Sequence, residues 1–297
     1  MSGSEVKFAV VGLDGHGPVF AKVVNGPEPL VPGARVVAAM PVPSVMVSEE
    51  TLAQNVAQTR ALGVEILEDP AELASRADGI LILHDDGSQH LALARLFAPF
   101  GKPLFVDKPF EATARAAAEM VALCRSQGCP LFSASSLRFA PELQAALARS
   151  EAGRVLSCLT YSPYSPQPTM PGWIYYAIHA VEPLFQIMGC GCREVRCFPV
   201  ESGSVALGLW EDGRLGMAKA NEGGTWGYGF TLWRENDQVA TAVDAGGIYP
   251  ALLARVKAFV QTGESPVPPE QSVEVIAFLE AANASMAAGG APVTLAC

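Results

Sequence analysis

The sequence predicts two domains of mixed class. The first, residues 1–135, is α/β, a doubly wound parallel sheet; the second, residues 136–297, is α+β on a mostly antiparallel, open sheet. Three observations carry this. Short apolar runs alternate with helical patterns through the first half, and parallel neighbours need such crossovers. After about Ser135, strand-like runs follow one another with hairpin turns and few helices between them. A glycine-bearing turn stands between the first strand and the first helix, where a nucleotide fingerprint belongs.

Taken in order, Lys7–Gly12 reads as a strand and Pro18–Val24 as a helix. Ala34–Met40 is a strand, Pro41–Ser44 a loop, Glu49–Ala61 a helix, and Val64–Leu67 a strand with a short helix after Pro70. Gly79–His84 and Leu104–Val106 are apolar enough to be buried parallel strands, with Gln89–Phe97 the helix between them. The alanine-rich helix Ala112–Ser126 leads to a strand at Pro130–Ser133. Beyond it come a helix, Pro141–Arg149, a strand, Arg154–Tyr161, and a Pro-rich loop, Ser162–Gly172, that opens a helix over Trp173–Met188. Five strands then succeed one another: Val195–Val200, Ser204–Trp210, Leu215–Ala220, Gly227–Trp233 and Gln238–Val243. Glu211-Asp212-Gly213 is a hairpin signal between two of them. Helices over Tyr249–Gln261 and Val273–Met286 close the chain.

A net charge of −10 argues against nucleic acid or an anionic membrane as partner. The polar start Met1–Glu5 lacks a secretory pattern, and no apolar run reaches the length of a membrane span. Seven irregularly placed cysteines fit reduced thiols in a cytoplasmic protein better than a disulfide framework. Cys190, Cys192 and Cys197 cluster without a paired Cys-x-x-Cys, so no metal is expected.

Leu104-Phe105-Val106 ends abruptly in Asp107-Lys108-Pro109. Carboxyl ends of parallel strands line the ligand crevice, so Lys108 either stands where chemistry happens or is a solvated strand end. The proline after it restricts its direction, and the Lys108–Pro109 bond is open to either isomer. In the first turn, Gly12 and Gly17 are the outer glycines of G-x-G-x-x-G, but the middle one is Asp14. A carboxylate aimed at a phosphate there would cost about 4 kcal/mol at ~4 Å. Asp14 must turn away, or the pyrophosphate must lie over Gly15. The second strand ends at Met40, without the acid that would hold ribose hydroxyls or an arginine for a 2′-phosphate.

Together these features resemble the Gfo/Idh/MocA family, named for glucose–fructose oxidoreductase, inositol dehydrogenase and a rhizopine-catabolism protein. His90 follows the loop His84-Asp85-Asp86-Gly87-Ser88, Asp107-Lys108-Pro109 stands for the family's Glu-Lys-Pro, and Ser136–Pro141 looks like its segment at the domain junction. Tyr175-Tyr176-Ala177-Ile178-His179-Ala180-Val181-Glu182 aligns with its distal motif Asp-x-Gly-x-His-x-x-Asp. The resemblance implies a Rossmann domain, NAD or NADP as cofactor, a small hydroxylated substrate such as a sugar or polyol, and a homo-oligomer formed through the C-terminal sheet. It makes Lys108 and His179 catalytic, with Tyr175 where the family carries an aspartate. Gly12, Asp14, Gly15, His16, Met40, His84, Asp85, His90, Asp107, Lys108 and Arg138 become cofactor contacts, and Tyr161, Trp173, Tyr176 and Glu182 substrate contacts.

These residue types suit hydride transfer at an alcohol carbon. His179 takes the hydroxyl proton, and Lys108 stabilises the developing alkoxide. On a continuous helix Tyr175, His179 and Glu182 share one face. Each residue also has a structural reading: His179 as a core histidine, Trp173 and Tyr161 as core anchors, His16 as a helix cap, Arg138 as one half of an ion pair. Two further functions stay open. One is tightly held NAD recycled during elimination or hydrolysis; the other is a non-catalytic ligand-binding member that has lost the dinucleotide.

Overall fold

A computed structural model describes residues 5–167, 169–224 and 226–295; Cys297 and the first four residues of the polar start lie outside them. The chain divides into two compact units, one of residues up to 111, 115–134 and 249–269, the other of 112–114, 135–248 and 270–297.

The first unit holds six parallel strands in the order β3-β2-β1-β4-β5-β6. They are β1 (Val6–Val11), β2 (Ala34–Met40), β3 (Glu65–Ile66), β4 (Gly79–Ile82), β5 (Leu104–Val106) and β6 (Leu131–Ser133). Strand order reverses between β1 and β4, so their carboxyl ends border the crevice where such sheets bind ligands. Every residue of β4 and β5 is buried, as their unbroken apolar runs require. The crossovers carry α1 (His16–Asn25), α2 (Glu49–Ala61), α3 (Pro70–Arg76), α4 (His90–Phe97) and α5 (Ala114–Ser126). Ser48 caps α2 by accepting the Thr51 N–H, and Asp69 caps α3 by accepting that of Glu72.

After the second unit's strands the chain returns to the first. Leu252, Leu253, Val256 and Phe259 of α8 (Ile248–Thr262) are buried, the Phe259 ring lies 5.5 Å from Phe132, and Phe132 lies 5.2 Å from Phe105 of β5. A contiguous division near residue 135 therefore omits the segment 249–269.

The second unit's sheet has the order β12-β11-β7-β10-β9-β8-β13. Its strands are β7 (Val155–Pro163), β8 (Cys192–Val200), β9 (Gly203–Trp210), β10 (Leu215–Asn221), β11 (Gly229–Arg234), β12 (Gln238–Ala242) and a short β13 (Val293–Thr294). All neighbours are antiparallel except β7 and β10, and the predicted hairpin joins β9 to β10. The preceding short helix is α6 (Pro141–Leu147), and α7 (Ile178–Met188) and α9 (Pro269–Ala287) cover one sheet face. Trp210 belongs to that covered face, with Phe185 of α7 at 5.6 Å and its indole N–H on the Gly189 carbonyl. Leu215, Met217 and Trp233 alternate to the opposite, half-exposed face.

The expected helix over Trp173–Met188 starts only at Ile178. Trp173–Ala177 form turns, because the Trp173 ring is wholly buried with its indole N–H on Ser204 Oγ (3.0 Å) and its backbone N–H on Asn283 Oδ1 (2.9 Å). These tertiary bonds outweigh the helical periodicity.

Phe132→Ala, which removes the ring between β5 and α8, is expected to cost about 3–5 kcal/mol. Equilibrium urea unfolding measures it, and an exposed control, Leu30→Ala, should cost far less.

Candidate cofactor and catalytic site

At the end of β5, Asp107 is 1% exposed and Lys108 nearly as buried, and the Lys108–Pro109 peptide is cis. The Asp107 carboxylate meets His16 Nδ1 at 2.6 Å and accepts the Lys108 backbone N–H. Burial pushes this carboxyl up, but the His16 charge and hydrogen bond, with Lys108, outweigh it and hold the group below its ordinary range. His16, the first residue of α1, stacks on Phe20 at 5.1 Å and turns Nε2 to the Tyr249 hydroxyl at 3.2 Å. Both its ring nitrogens thus have internal partners. His90 Nε2 donates to the His84 carbonyl (2.7 Å) while Nδ1 lies 3.3 Å from the Phe110 carbonyl. The Glu111 carboxylate accepts the Leu91 N–H (2.9 Å), so the loop after the cis proline is tied to the start of α4.

At the first turn, Gly12 takes φ +93°, and a Cβ there would lie 2.6 Å from the His84 backbone nitrogen. Only glycine lets the β1 end approach the β4 end so closely. Asp14 turns to that β4 end: each of its carboxylate oxygens lies 3.2 Å from the Asp85 N–H, and His84 Nε2 is 3.5 Å away. His84 also accepts the Asp86 N–H at Nδ1 and reaches the Pro43 carbonyl with Nε2. Met40 is buried and accepts the Gly12 N–H through its carbonyl (3.0 Å).

Gly15 precedes α1 without a side-chain cap, and no acid lies in that helix's first turn. A Cβ on Gly15 would fall 2.1 Å from one Asp85 carboxylate oxygen and 2.2 Å from the other. Asp85 therefore sits on the bare backbone at the helix N-terminus. Burial raises its carboxyl above the ordinary range, against the attraction of Lys108 and His16 and with the repulsion of Asp14 and Asp107.

In the second unit, His179 on α7 is buried, with Nδ1 2.8 Å from Ser135 Oγ. Ser135 Oγ also accepts the Leu137 N–H (3.3 Å). In the tautomer whose Nδ1–H donates to this hydroxyl, Nε2 carries the lone pair a base needs. The His179 ring meets Tyr176 edge-on at 4.8 Å and Tyr228 at 5.9 Å, and the two tyrosine hydroxyls are 3.1 Å apart. Trp226, 60% exposed, stands 5.1 Å from Tyr176.

Several expected contacts lie elsewhere. Tyr175 precedes α7, so it shares no helical face with His179 and Glu182. Arg138 is wholly buried: Nε donates to Glu182 and Nη1 to Gln271 Oε1 (2.6 Å) and Gln186 Oε1 (3.2 Å). Arg138 and Glu182, expected at cofactor and substrate, form an internal ion pair, and Trp173 is an interior anchor. Tyr161 alternates to the sheet face opposite Thr160, whose hydroxyl donates to the Ala180 carbonyl of α7, so it points away from that helix. Ser135, Tyr228, Trp226 and Tyr249 were not singled out by sequence; only spatial contact distinguishes them. Among the described residues no group of three or more His, Cys, Asp or Glu is placed to hold a metal, and no helix is long and apolar enough to cross a membrane.

Residues 6–135 match Gfo/Idh/MocA, described as an oxidoreductase family with an NAD-binding Rossmann fold. Over these residues, the parallel-sheet domain, the chain is similar to that family. No curated protein sequence matches the chain. Among solved structures, it is similar to scyllo-inositol dehydrogenase from Lactobacillus casei with NAD(H) and scyllo-inositol bound (14% identity, 99% of this chain and 100% of that one, TM-score 0.82). It is also similar to a myo-inositol dehydrogenase from Corynebacterium glutamicum (17%, 98% and 99%, TM-score 0.81) and to GenD2 from gentamicin A biosynthesis in complex with NAD (17%, 100% and 98%, TM-score 0.80). At these identities the likeness establishes the fold. The first turn fits a dinucleotide in its backbone: a helix N-terminus without its own acid follows a glycine cradle that a Cβ would fill. One side chain, Asp85, stands in that cradle.

The two carboxyls respond oppositely to pH. Asp107 titrates lower folded than unfolded, so its stabilisation is present above the unfolded value and is lost as pH falls through the folded one. Asp107→Asn is expected to cost about 1–3 kcal/mol at pH 7, a loss that shrinks toward pH 3. Asp85 titrates higher when folded, so its ionisation destabilises the fold as pH rises. Asp85→Asn should therefore match or exceed the parent's stability at pH 7. Urea unfolding across pH checks both signs.

Proposed function

We propose that the chain is an NAD(P)-dependent oxidoreductase that moves hydride to or from a CH–OH carbon of a sugar, polyol or related small molecule. The observation that carries this reading is the buried Lys108, held at the carboxyl end of β5 beside a fixed Asp107 in a domain of an NAD-binding oxidoreductase family. A bound nicotinamide supplies the hydride acceptor. The backbone of Gly12–Gly17 would receive its pyrophosphate. Lys108 as ammonium hydrogen-bonds the substrate oxygen and stabilises negative charge there. His179, oriented by Ser135, takes the hydroxyl proton at Nε2. Tyr176 and Tyr228 hold the imidazole edge-on and limit water around it.

That one similar structure holds scyllo-inositol and another is a myo-inositol dehydrogenase supports a cyclic polyol as the first substrate class to try. Lys108→Met and His179→Ala should each lower turnover by roughly 10²–10⁴ with the fold retained. Steady-state assays over a polyol and sugar panel, with circular dichroism as control, test this; unchanged turnover in both variants sinks it. A non-catalytic, ligand-binding reading draws on one observation, the Asp85 carboxylate in the phosphate cradle. Saturable thermal shifts with NADH or NADPH separate the two, since ligand at ~100 times Kd adds about 2.7 kcal/mol.

The half-exposed face of the second sheet, with Leu159, Leu207, Leu209, Leu215, Met217 and Trp233, supports self-association through that face. Met217→Lys is expected to shift the mass measured by light scattering toward the monomer, and an unchanged mass rejects this interface.

A further inference from the structure

We propose that Asp85 controls admission of the dinucleotide: its carboxylate holds the place at the α1 N-terminus that the cofactor's pyrophosphate takes, and binding requires it to leave. This rests on the cofactor reading above and adds to it a residue that sets affinity.

The geometry is specific. Both Asp85 oxygens lie where a Gly15 Cβ would be, against backbone that a bare glycine leaves open. The helix behind it has no acid in its first turn and no side-chain cap. An anion is favoured at such a helix start, and a carboxylate and a phosphate compete for the same partial positive charge. Asp85 is brought there by Asp14, whose carboxylate accepts the Asp85 N–H with both oxygens and so draws the β4 end against the first turn. The fingerprint position that a glycine would leave empty thus recruits a second acid in place of a phosphate.

Of the charges that act on Asp85, Lys108 and His16 attract it and Asp14 and Asp107 repel it. His16 is hydrogen-bonded to Asp107, which reduces what it offers to an incoming anion. A pyrophosphate added beside an ionised Asp85 would meet like charge at contact distance in a partly buried setting. The Asp85 side chain therefore has to rotate away or take up a proton as the cofactor enters.

Fluorescence titration of the full chain with NADH, and calorimetric titration with ADP and with adenosine, at pH 7.5, test this on the parent, Asp85→Asn and Asp85→Ser. Both variants are expected to bind NADH and ADP at least tenfold more tightly than the parent, about 1.4 kcal/mol, with adenosine unchanged within twofold. Binding seen only in the variants supports the proposal equally. If the parent and both variants bind NADH with the same Kd, Asp85 does not hold the place and the cofactor reading survives alone. An equal gain for adenosine also overturns the proposal, since a loosened site rather than a removed charge would explain it. If neither parent nor folded variants bind NADH, NADPH or ADP, the proposal and the cofactor reading fall together.

Discussion

A wholly buried carboxylate, Asp107, sets the geometry of the first unit's crevice. Burying such a group without partners would drive it to its neutral form. Here His16 from the start of α1 and the Lys108 backbone N–H keep it ionised. The consequence runs outward. His16, fixed at Nδ1, presents Nε2 to Tyr249 of α8, and its ring lies flat on Phe20 of α1. One ion pair thereby joins β5, α1 and α8, elements far apart in sequence. Lys108 follows directly on the residue that is pinned, and its backbone N–H is one of the bonds that pin it.

The same neighbours act differently on the next acid along the crevice. Lys108 and His16 attract both Asp107 and Asp85, yet one carboxyl is lowered and the other raised. The difference is contact. Asp107 accepts hydrogen bonds from His16 and from the Lys108 backbone, whereas the attraction on Asp85 acts through space and is opposed by Asp14 and Asp107. Two carboxylates on neighbouring strand ends are thus sorted by hydrogen bonding into one that is structural and one whose ionised form is costly where it sits. A group of the second kind, placed at a helix start, is suited to exchange with another anion.

Much of this was legible in the sequence. β2, α2 and β5 fall at the expected residues because each is bounded by a strong local signal: a terminal Met-Pro, a Ser cap with two following acids, and a Lys-Pro before with an Asp-Lys-Pro after. Charge alone required that Asp14 turn away or that a phosphate lie over Gly15, but the partner Asp14 takes was not legible, since it is the backbone N–H of Asp85 beyond another strand. The start of α7 was misplaced because Trp173–Tyr176 keep a helical rhythm while the Trp173 ring is held by Ser204 and Asn283, distant in sequence. The covered face of the second sheet was not legible for a related reason: a strand's alternation reveals two faces without naming the covered one. The return of α8 to the first unit depends on Phe132 and Phe259 meeting, and no local pattern encodes that.

The second unit answers a loss in the distal motif. Tyr175, at the position where the resemblance expects an aspartate, lies in a turn ahead of α7 and not on the helix that carries His179. Ser135, from the segment that follows β6, meets the His179 ring at Nδ1. The Ser135 hydroxyl accepts the Leu137 N–H and lies against Nδ1, and the two contacts together fix the direction of the ring. What it does not bring is negative charge. An aspartate in that role would both aim the ring and favour its charged form, whereas serine aims it only. The ring's surroundings are aromatic edges, from Tyr176 and Tyr228, which add shape and exclude water without adding a counter-ion. At the position of that motif the imidazole is thus directed by a hydroxyl and not by a carboxylate.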